Sequence, residues 1–175
     1  FKNPTKQTQQ FSFSVNRMTA GTPQTAVIRF RIKKSFITRP KNTSEFTSGG
    51  KLPSEVKQFL KPSPYIESNS KEIRKIASTL EDETLDAWSQ VEKNYTWVRD
   101  NIEYKFDKQI HSCLRALEVK QGDCEELSSL FIAICRAQGI PARAVWIPGH
   151  TYPEFYLTDA DKNGTWFPCQ AAGTY

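Results

Sequence analysis

The sequence predicts an α+β fold in which helices precede an antiparallel sheet. Apolar residues recur at helical spacing through residues 70–102 and again through residues 124–138. After residue 140, three short segments have the composition of β-strands and are separated by turn residues. The chain has 175 residues, of which 38% are hydrophobic, and this suffices for one cored domain. We therefore expect a single core, at residues 64–175, preceded by an extension and a linker.

Residues 1–41 are interpreted as a β-strand extension and residues 42–63 as a linker. In the extension, apolar and polar residues alternate on both sides of Gly21-Thr22-Pro23, which predicts a β-hairpin. The alternating apolar residues are Phe11, Phe13, Val15, Ile28, Phe30 and Ile32. The linker is rich in Ser, Thr, Gly, Lys and Pro, and we expect it to contain only a short helical interruption.

Two helices open the predicted core. The first follows Ser70, a plausible N-cap, and the second carries an apolar stripe on one face. The stripe consists of Trp88, Val91, Tyr95, Val98 and Ile102. Trp97 and Tyr104 are candidates for lining a cleft, but their helical phase favours packing in the core.

A short helix is predicted at residues 113–120, and a strongly apolar helix follows that begins near Cys124 and ends at Gly139. Asp123 and Glu126 have the spacing of a capping box, in which each side chain accepts a hydrogen bond from a backbone N–H of the first turn. This pattern places Cys124 at the first helical position.

Strands are predicted at Ala142–Ile147, His150–Leu157 and Thr165–Gln170, with a polar turn between the last two. That turn contains D-x-D-x-N-G from Asp159 to Gly164, which matches the first half of a calcium loop. The twelfth loop position falls on Gln170 instead of the usual bidentate glutamate, so a hairpin turn is the preferred interpretation.

The composition disfavours several classes of function. The 24 basic residues are interspersed with 19 acidic ones, so the net charge of +5 does not predict a nucleic-acid partner. Four cysteines without a C-x-x-C pair and two histidines disfavour a zinc site, and we expect no metal or cofactor. No apolar stretch is long enough to span a membrane. The chain begins without a methionine, and a trimmed targeting signal with an extracytoplasmic location is one expectation; the oligomeric state stays open.

Cys124 is the predicted nucleophile. A cysteine attacks as its thiolate, which the partial positive charge of a helix N-terminus favours, and we expect Cys124 to be the one cysteine in that setting. Its own backbone N–H is placed to contact a developing oxyanion. Because the neighbouring acids oppose thiolate formation, a cationic partner is needed, and His111 and His150 are the candidates. His150 is preferred because it follows the Gly149 turn and begins a strand.

Several motifs in this order resemble the transglutaminase-like superfamily, in particular its bacterial-type domains. They are QGDCEELSSLFIAICRAQGIPARAVWIPGH, HTYPEFYL and TWFPCQ, preceded by LKPSPYIESNSKEIRKIA and WVRDNIEY, and together they span residues 59–170. The resemblance implies a papain-like α+β core whose nucleophile helix packs on an antiparallel sheet. It also implies a Cys-His-Asp site in which Cys124 and His150 are the first two members.

The third member of that site departs from the family pattern. The resemblance implies an aspartate in W-x-x-x-D, but the chain has Gln170 after Trp166-Phe167-Pro168-Cys169. An amide can orient an imidazole, whereas a carboxylate also stabilises its charged form. We expect Gln170 in this role, with Asp159 or Asp161 as the alternatives if the hairpin is shifted.

Two hypotheses about function follow. In the first, the chain is a thiol-dependent amide hydrolase or acyltransferase that acts on a protein or peptide through a Cys-His thioester mechanism. In the second, it is an inactive binding or scaffold module that keeps the fold, and Gln170 marks the loss of turnover.

Overall fold

The chain divides into two units, Phe1–Thr38 and Arg39–Tyr175. The computed structural model describes residues 12–31 and 38–173. Every helix and strand among these residues belongs to the second unit.

The described part of the first unit, residues 12–31, contains no β-strand, so the hairpin predicted there is not formed by these residues. A turn at Ala20 and Gly21 is present. The alternating apolar side chains stay exposed, by 59% at Phe13 and 75% at Phe30. Alternation produces a stable strand only where one face is buried, and a hairpin alone is marginal in water. Phe11 and the predicted strand residues 32–37 lie outside the described residues.

The residues interpreted as a linker belong to the second unit. They include helix α1 (Ser54–Lys57) and a 3₁₀ helix (Gln58–Leu60), and Val56 of α1 is buried. The ring of Phe46 lies 5.2 Å from the ring of Phe167. The ring of Phe59 lies 5.2 Å from that of Trp166. These apolar contacts hold the Ser- and Pro-rich stretch on the core.

Helices α2 (Lys71–Leu80) and α3 (Ala87–Asn101) begin where the sequence supplies caps. The Ser70 hydroxyl accepts a hydrogen bond from the backbone N–H of Ile73, and the Asp86 carboxylate accepts one from Ser89. These contacts satisfy N–H groups that the first turn of a helix leaves without an intrahelical partner. Strand β1 (Glu103–Tyr104) follows α3 directly.

The centre of the fold is helix α5. Helix α4 (Cys113–Val119) leads to strand β2 (Gln121–Gly122), which pairs in parallel with β1, and α5 (Cys124–Ala137) begins two residues later. Every residue of α5 from Glu126 to Arg136 is buried, since the helix packs against α2, α3, α4 and the main sheet. No helix among the described residues is both long and apolar enough to cross a membrane.

The main sheet is antiparallel, with the order β3-β4-β5. Its strands are β3 (Ala142–Ile147), β4 (His150–Thr158) and β5 (Gly164–Pro168). The β3–β4 register pairs Ile147 with His150 across a turn in which Gly149 has φ 76°. A positive φ suits glycine, and the tight turn brings His150 to the end of the sheet beside the start of α5. The predicted α+β fold, with the nucleophile helix on an antiparallel sheet, is confirmed.

Candidate active site

The turn before α5 requires a glycine. A Cβ atom on Gly122 would lie 2.6 Å from Cβ of Glu126, closer than two such atoms can approach. Gly122 therefore lets β2 pass directly against the first turn of α5. Its carbonyl oxygen also accepts a hydrogen bond of 2.8 Å from the backbone N–H of Lys105.

The capping box predicted from the sequence is present at the start of α5. Asp123 Oδ1 accepts from the N–H of Glu125, and Glu126 Oε2 accepts from the N–H of Asp123, each at 3.0 Å. Glu126 is 1% exposed, so burial acts to raise its pKa. These bonds define where the helix begins and place Cys124 at its first position.

The second oxygen of each capping carboxylate holds a neighbouring loop, a role that the capping-box pattern alone does not indicate. Glu126 Oε1 accepts a hydrogen bond of 2.6 Å from the backbone N–H of His111. Asp123 Oδ2 accepts one of 3.3 Å from the backbone N–H of Asp107. The same two side chains therefore position both the nucleophile and the loop at residues 105–111.

Cys124 is half-buried, and its thiol donates a hydrogen bond to Glu125 Oε2 at 3.0 Å. Burial and this hydrogen bond raise the pKa of Cys124 to about 11, while a hydrogen bond from the backbone N–H of Thr151 acts in the opposite direction. As the first helical residue, Cys124 has a backbone N–H for which the helix provides no carbonyl. That N–H is free of the helical ladder and is the predicted oxyanion donor.

Thr151 connects the start of β4 to the start of α5. Its N–H points at the Cys124 sulfur, and its carbonyl oxygen accepts a hydrogen bond of 3.3 Å from the Ser128 hydroxyl. Since His150 is the preceding residue, these two contacts fix the backbone of the predicted base beside the nucleophile. His150 and Cys124 line the same cleft.

The ring of His150 contacts Gln170, as the sequence predicted for the third site residue. His150 Nε2 lies 3.1 Å from Gln170 Oε1, while Gln170 Nε2 donates to the carbonyl oxygen of Ala172. Gln170 Nε2 also lies 3.0 Å from His150 Nε2, so both amide atoms face that ring nitrogen. General-base catalysis at Nδ1 requires the tautomer in which Nε2–H donates to Oε1 and Nδ1 carries no proton.

Gln170 is itself held from α3. The Arg99 guanidinium donates to the carbonyl oxygens of Gln170 at 3.3 Å and Gly173 at 2.9 Å. Asp159 lies in the turn at the opposite end of β4 from His150, where its carboxylate accepts from the backbone N–H of Asn163 at 2.7 Å. The structure thus brings Gln170 to the imidazole and leaves the Asp159–Asp161 turn remote from it, as a hairpin turn.

His111, the other candidate base, is engaged elsewhere. Its Nε2 lies 3.1 Å from the carboxylate of Asp107, and its backbone N–H is bound by Glu126. It does not line the cleft that contains Cys124 and His150.

The cleft has a volume of about 510 Å³ and exposed apolar walls. One wall comes from the loop at residues 105–111, where Phe106 is 70% exposed, and the other from the end of the β3–β4 hairpin, where Trp146 of β3 is 59% exposed. Tyr104 also lines the cleft and is 51% exposed. The prediction that Tyr104 packs in the core was wrong, because α3 ends at Asn101 and Tyr104 belongs to β1. Trp97 does pack against the core.

The cleft also contains a group of possible metal ligands. Ligand atoms of Asp123, Cys124 and Glu125 lie within 4.8 Å of one another. Both Asp123 oxygens accept backbone N–H groups, and Glu125 accepts from the thiol. Hydrogen bonds within the first turn of α5 account for this grouping.

All four cysteines have free thiols. Cys135 is buried in α5, as its apolar surroundings predicted, and burial raises its pKa to about 12. The expectation that Cys124 alone begins a helix was wrong. Cys113 is the first residue of α4, behind the N-cap Ser112, and its thiol donates to Glu67 at 3.0 Å. Ser112 was the sequence signal for this second helix start.

Comparisons with known proteins found a matching family model and a similar solved structure. The family model of the transglutaminase-like superfamily matches residues 73–171. A crystal structure of a protein described as a "putative cysteine protease" from Cytophaga hutchinsonii superimposes with a TM-score of 0.58 and 26% sequence identity. The match covers 69% of this chain and 43% of that one, so this chain corresponds to less than half of that protein's length. No curated protein sequence matches this chain.

Proposed function

Because the chain belongs to the transglutaminase-like superfamily, a family of thiol-dependent enzymes, we propose that it is an amide hydrolase acting on protein or peptide substrates. The observation that carries this proposal is the arrangement of the cleft. A helix-start cysteine and a histidine line one cavity, and the far ring nitrogen of the histidine is engaged by Gln170. Nδ1 is the ring nitrogen that Gln170 does not contact, and it is the one that we propose acts on the sulfur.

The proposed reaction has two halves. His150 Nδ1 takes the proton of Cys124, and the sulfur attacks the amide carbonyl carbon, whose oxygen becomes an oxyanion beside the N–H of Cys124. The C–N bond breaks, the leaving nitrogen takes the proton from His150, and the acyl group stays on the sulfur as a thioester. Water then gives a proton to His150 and attacks the thioester, which releases the acid and restores the thiol. An amine in place of water would complete an acyl transfer.

Gln170 orients the ring but carries no charge, so the imidazolium formed in each half-reaction lacks a carboxylate partner at that side. Because the imidazolium is less stabilised, we expect a lower turnover rate than in an enzyme with aspartate at that position.

One observation favours a second candidate function, a binding module without turnover. The thiol donates to Glu125, and the pKa of Cys124 is raised to about 11, which is the opposite of the lowered pKa expected for an activated nucleophile. The experiment below separates the two candidates.

A chromogenic ester tests the chemistry whatever the natural substrate is. We expect 4-nitrophenyl acetate to be hydrolysed, with an acetyl group on Cys124 detectable by mass spectrometry in rapidly quenched samples. Cys124→Ala and His150→Ala should each lower turnover by about 10²-fold or more, and Gln170→Ala by less, since it removes only the orienting contact. Turnover that is the same in the wild type and in Cys124→Ala would reject the enzyme hypothesis in favour of the binding module.

A peptide library then tests the amide bond itself. Incubation with a proteome-derived library, with and without an added primary amine, should yield new peptide termini in the wild type and none in Cys124→Ala. Amine-labelled products in place of new termini would identify an acyltransferase instead of a hydrolase.

A further inference from the structure

Glu125 has no role in the proposed reaction, yet its carboxylate accepts the hydrogen bond of the nucleophile's thiol at 3.0 Å. We propose that Glu125 is a positioning residue that holds the resting Cys124 thiol, and that substrate must displace its carboxylate before His150 can take the proton. This inference rests on the proposed function and concerns the regulation of the same site.

The first support is the direction of the thiol proton. Cys124 Sγ lies 3.0 Å from Glu125 Oε2, and at this distance the single thiol proton is donated to the carboxylate in a hydrogen bond. A proton directed to Glu125 is not directed to Nδ1 of His150. The structure is therefore that of a resting site, in which the base and the nucleophile share a cleft without sharing the proton.

The second support is the charge around the sulfur. The charged or titratable groups that line the cleft with Cys124 are Tyr104, Asp107, Lys108, Asp123, Glu125 and His150. Asp123 is occupied by two backbone N–H groups, and Asp107 pairs with His111. Glu125 is the carboxylate that accepts the thiol hydrogen bond, and the Asp123 carboxylate lies within 4.8 Å of the sulfur, so thiolate formation would add a negative charge beside two others. Burial is the main cause of the raised pKa of Cys124, and the hydrogen bond and charge of Glu125 act in the same direction.

The third support is the space behind Glu125. Glu125 lines both the cleft and an adjoining cavity of about 260 Å³ that contains Arg136 and Arg143. Arg143 is paired with Glu154, at 2.6 Å. Arg136 is 7% exposed and donates to two carbonyl oxygens and to the Ser63 hydroxyl. Among the described residues, no carboxylate forms a salt bridge with its guanidinium.

Glu125 and Arg136 are about 16 Å apart along the axis of α5, so the charge of Arg136 favours a carboxylate turned into their shared cavity without forming a direct ion pair with it. The adjoining cavity therefore offers the Glu125 side chain a second position, turned away from the sulfur. With the carboxylate there, the Cys124 proton is free to pass to Nδ1 of His150, and the sulfur carries the electron pair that attacks the substrate.

The test compares two glutamates that each accept a thiol at 3.0 Å. Glu125→Gln removes the negative charge beside Cys124, while Glu67→Gln makes the same change beside Cys113 and serves as the matched control. The measurement is the rate of Cys124 alkylation by iodoacetamide, which forms a C–S bond and releases iodide. Rates are measured from pH 6 to pH 11 in the folded protein, with the modified cysteine located by mass spectrometry.

The sign of the expected shift follows from the thiolate being the reactive form. A thiol pKa raised by Glu125 leaves less thiolate at neutral pH, so removing the charge should lower the midpoint of the rate profile by about one pH unit or more. That shift corresponds to an increase of about tenfold or more in rate at pH 7. Glu67→Gln should leave the Cys124 profile unchanged. Glu125→Ala should repeat the effect of Glu125→Gln, and thermal unfolding of each variant checks that the fold is retained.

The outcomes separate this inference from the proposed function. If the Glu125 variants have the wild-type midpoint while ester turnover still depends on Cys124 and His150, the holding role is wrong and the enzyme hypothesis stands. If turnover is independent of Cys124 and His150 in both the wild-type and the Glu125→Gln backgrounds, the proposed function is wrong. A lowered midpoint together with faster ester turnover in Glu125→Gln supports both.

Discussion

Two cysteines in this chain occupy the same local position and have different surroundings. Cys113 begins α4 and Cys124 begins α5, each follows a side-chain N-cap, and each thiol donates to a glutamate at 3.0 Å. Cys113 is 0% exposed, and burial raises its pKa strongly. Cys124 lines a cleft with a histidine and receives the N–H of Thr151.

The difference shows that a helix start does not by itself make a reactive cysteine. The partial charge of the helix acts on both sulfurs, and in both cases burial and a carboxylate outweigh it. What distinguishes Cys124 is access to solvent and a histidine in the same cavity. The comparison can be tested at three levels, from the reactivity of the sulfurs to the strength of their helix caps.

The largest expected effect is on alkylation of the two thiols in one sample. In the folded protein, iodoacetamide should modify Cys124 at least about 10³-fold faster than Cys113, because Cys113 is reached only when the protein unfolds. In concentrated guanidinium chloride the two rates should agree within about threefold. Peptide mapping of timed samples measures both rates. Comparable rates in the folded state would mean that α4 opens easily and that burial does not separate the two sites.

The next largest effect is the loss of stability when Glu126, one of the two carboxylates that hold the start of α5, is removed. Glu126→Ala leaves the buried backbone N–H of Asp123 and the half-buried N–H of His111 without their acceptor, and should lower the free energy of unfolding by about 2–4 kcal/mol. Urea denaturation followed by circular dichroism measures this. Glu118→Ala is the control, since Glu118 lies exposed on α4 and its loss should cost less than about 0.5 kcal/mol. Equal losses would show that Glu126 does not hold the loop.

The smallest effect is at the cap of α4. The Ser112 hydroxyl accepts one hydrogen bond, from the N–H of Arg115 at 3.2 Å. Ser112→Ala should therefore lower the free energy of unfolding by about 1 kcal/mol, less than Glu126→Ala does at α5. The same urea denaturation measurement shows which of the two substitutions lowers the free energy of unfolding more. A larger loss at Ser112 would reverse the conclusion that the start of α5 is the more strongly held of the two.

The sequence was sufficient to predict features that depend on local pattern. The capping box at Asp123 and Glu126, the start of α5 at Cys124 and the strand Ala142–Ile147 all match the structure. The contact between His150 and Gln170 could be predicted because β4 and β5 are adjacent in the chain and the family motifs align the two residues. Their catalytic roles stay a prediction.

The features that escaped prediction depend on side-chain geometry or on contacts between separate segments. Strands β1 and β2 have two residues each, too few to show any periodicity, so neither their pairing nor the exposure of Tyr104 could be read from the sequence. The contact between Cys124 and Glu125 depends on side-chain rotamers, which no sequence pattern specifies. In the extension, alternation predicted strands that residues 12–31 do not form, because alternation alone does not supply a surface to pack on.

The loop at residues 105–111 has a mechanical consequence for the cleft. It is fastened to the start of α5 by Glu126 and Asp123 and by the backbone pairing of β1 with β2. That wall of the cleft and Cys124 therefore keep a fixed position relative to each other. The facing wall is the end of the β3–β4 hairpin, with Trp146 near the end of β3 and Gly149 in the turn. If a bulky substrate needs a wider gap, we expect the turn at residues 148–149 to move before the fastened wall does, because no carboxylate pair of this kind among the described residues ties it to α5.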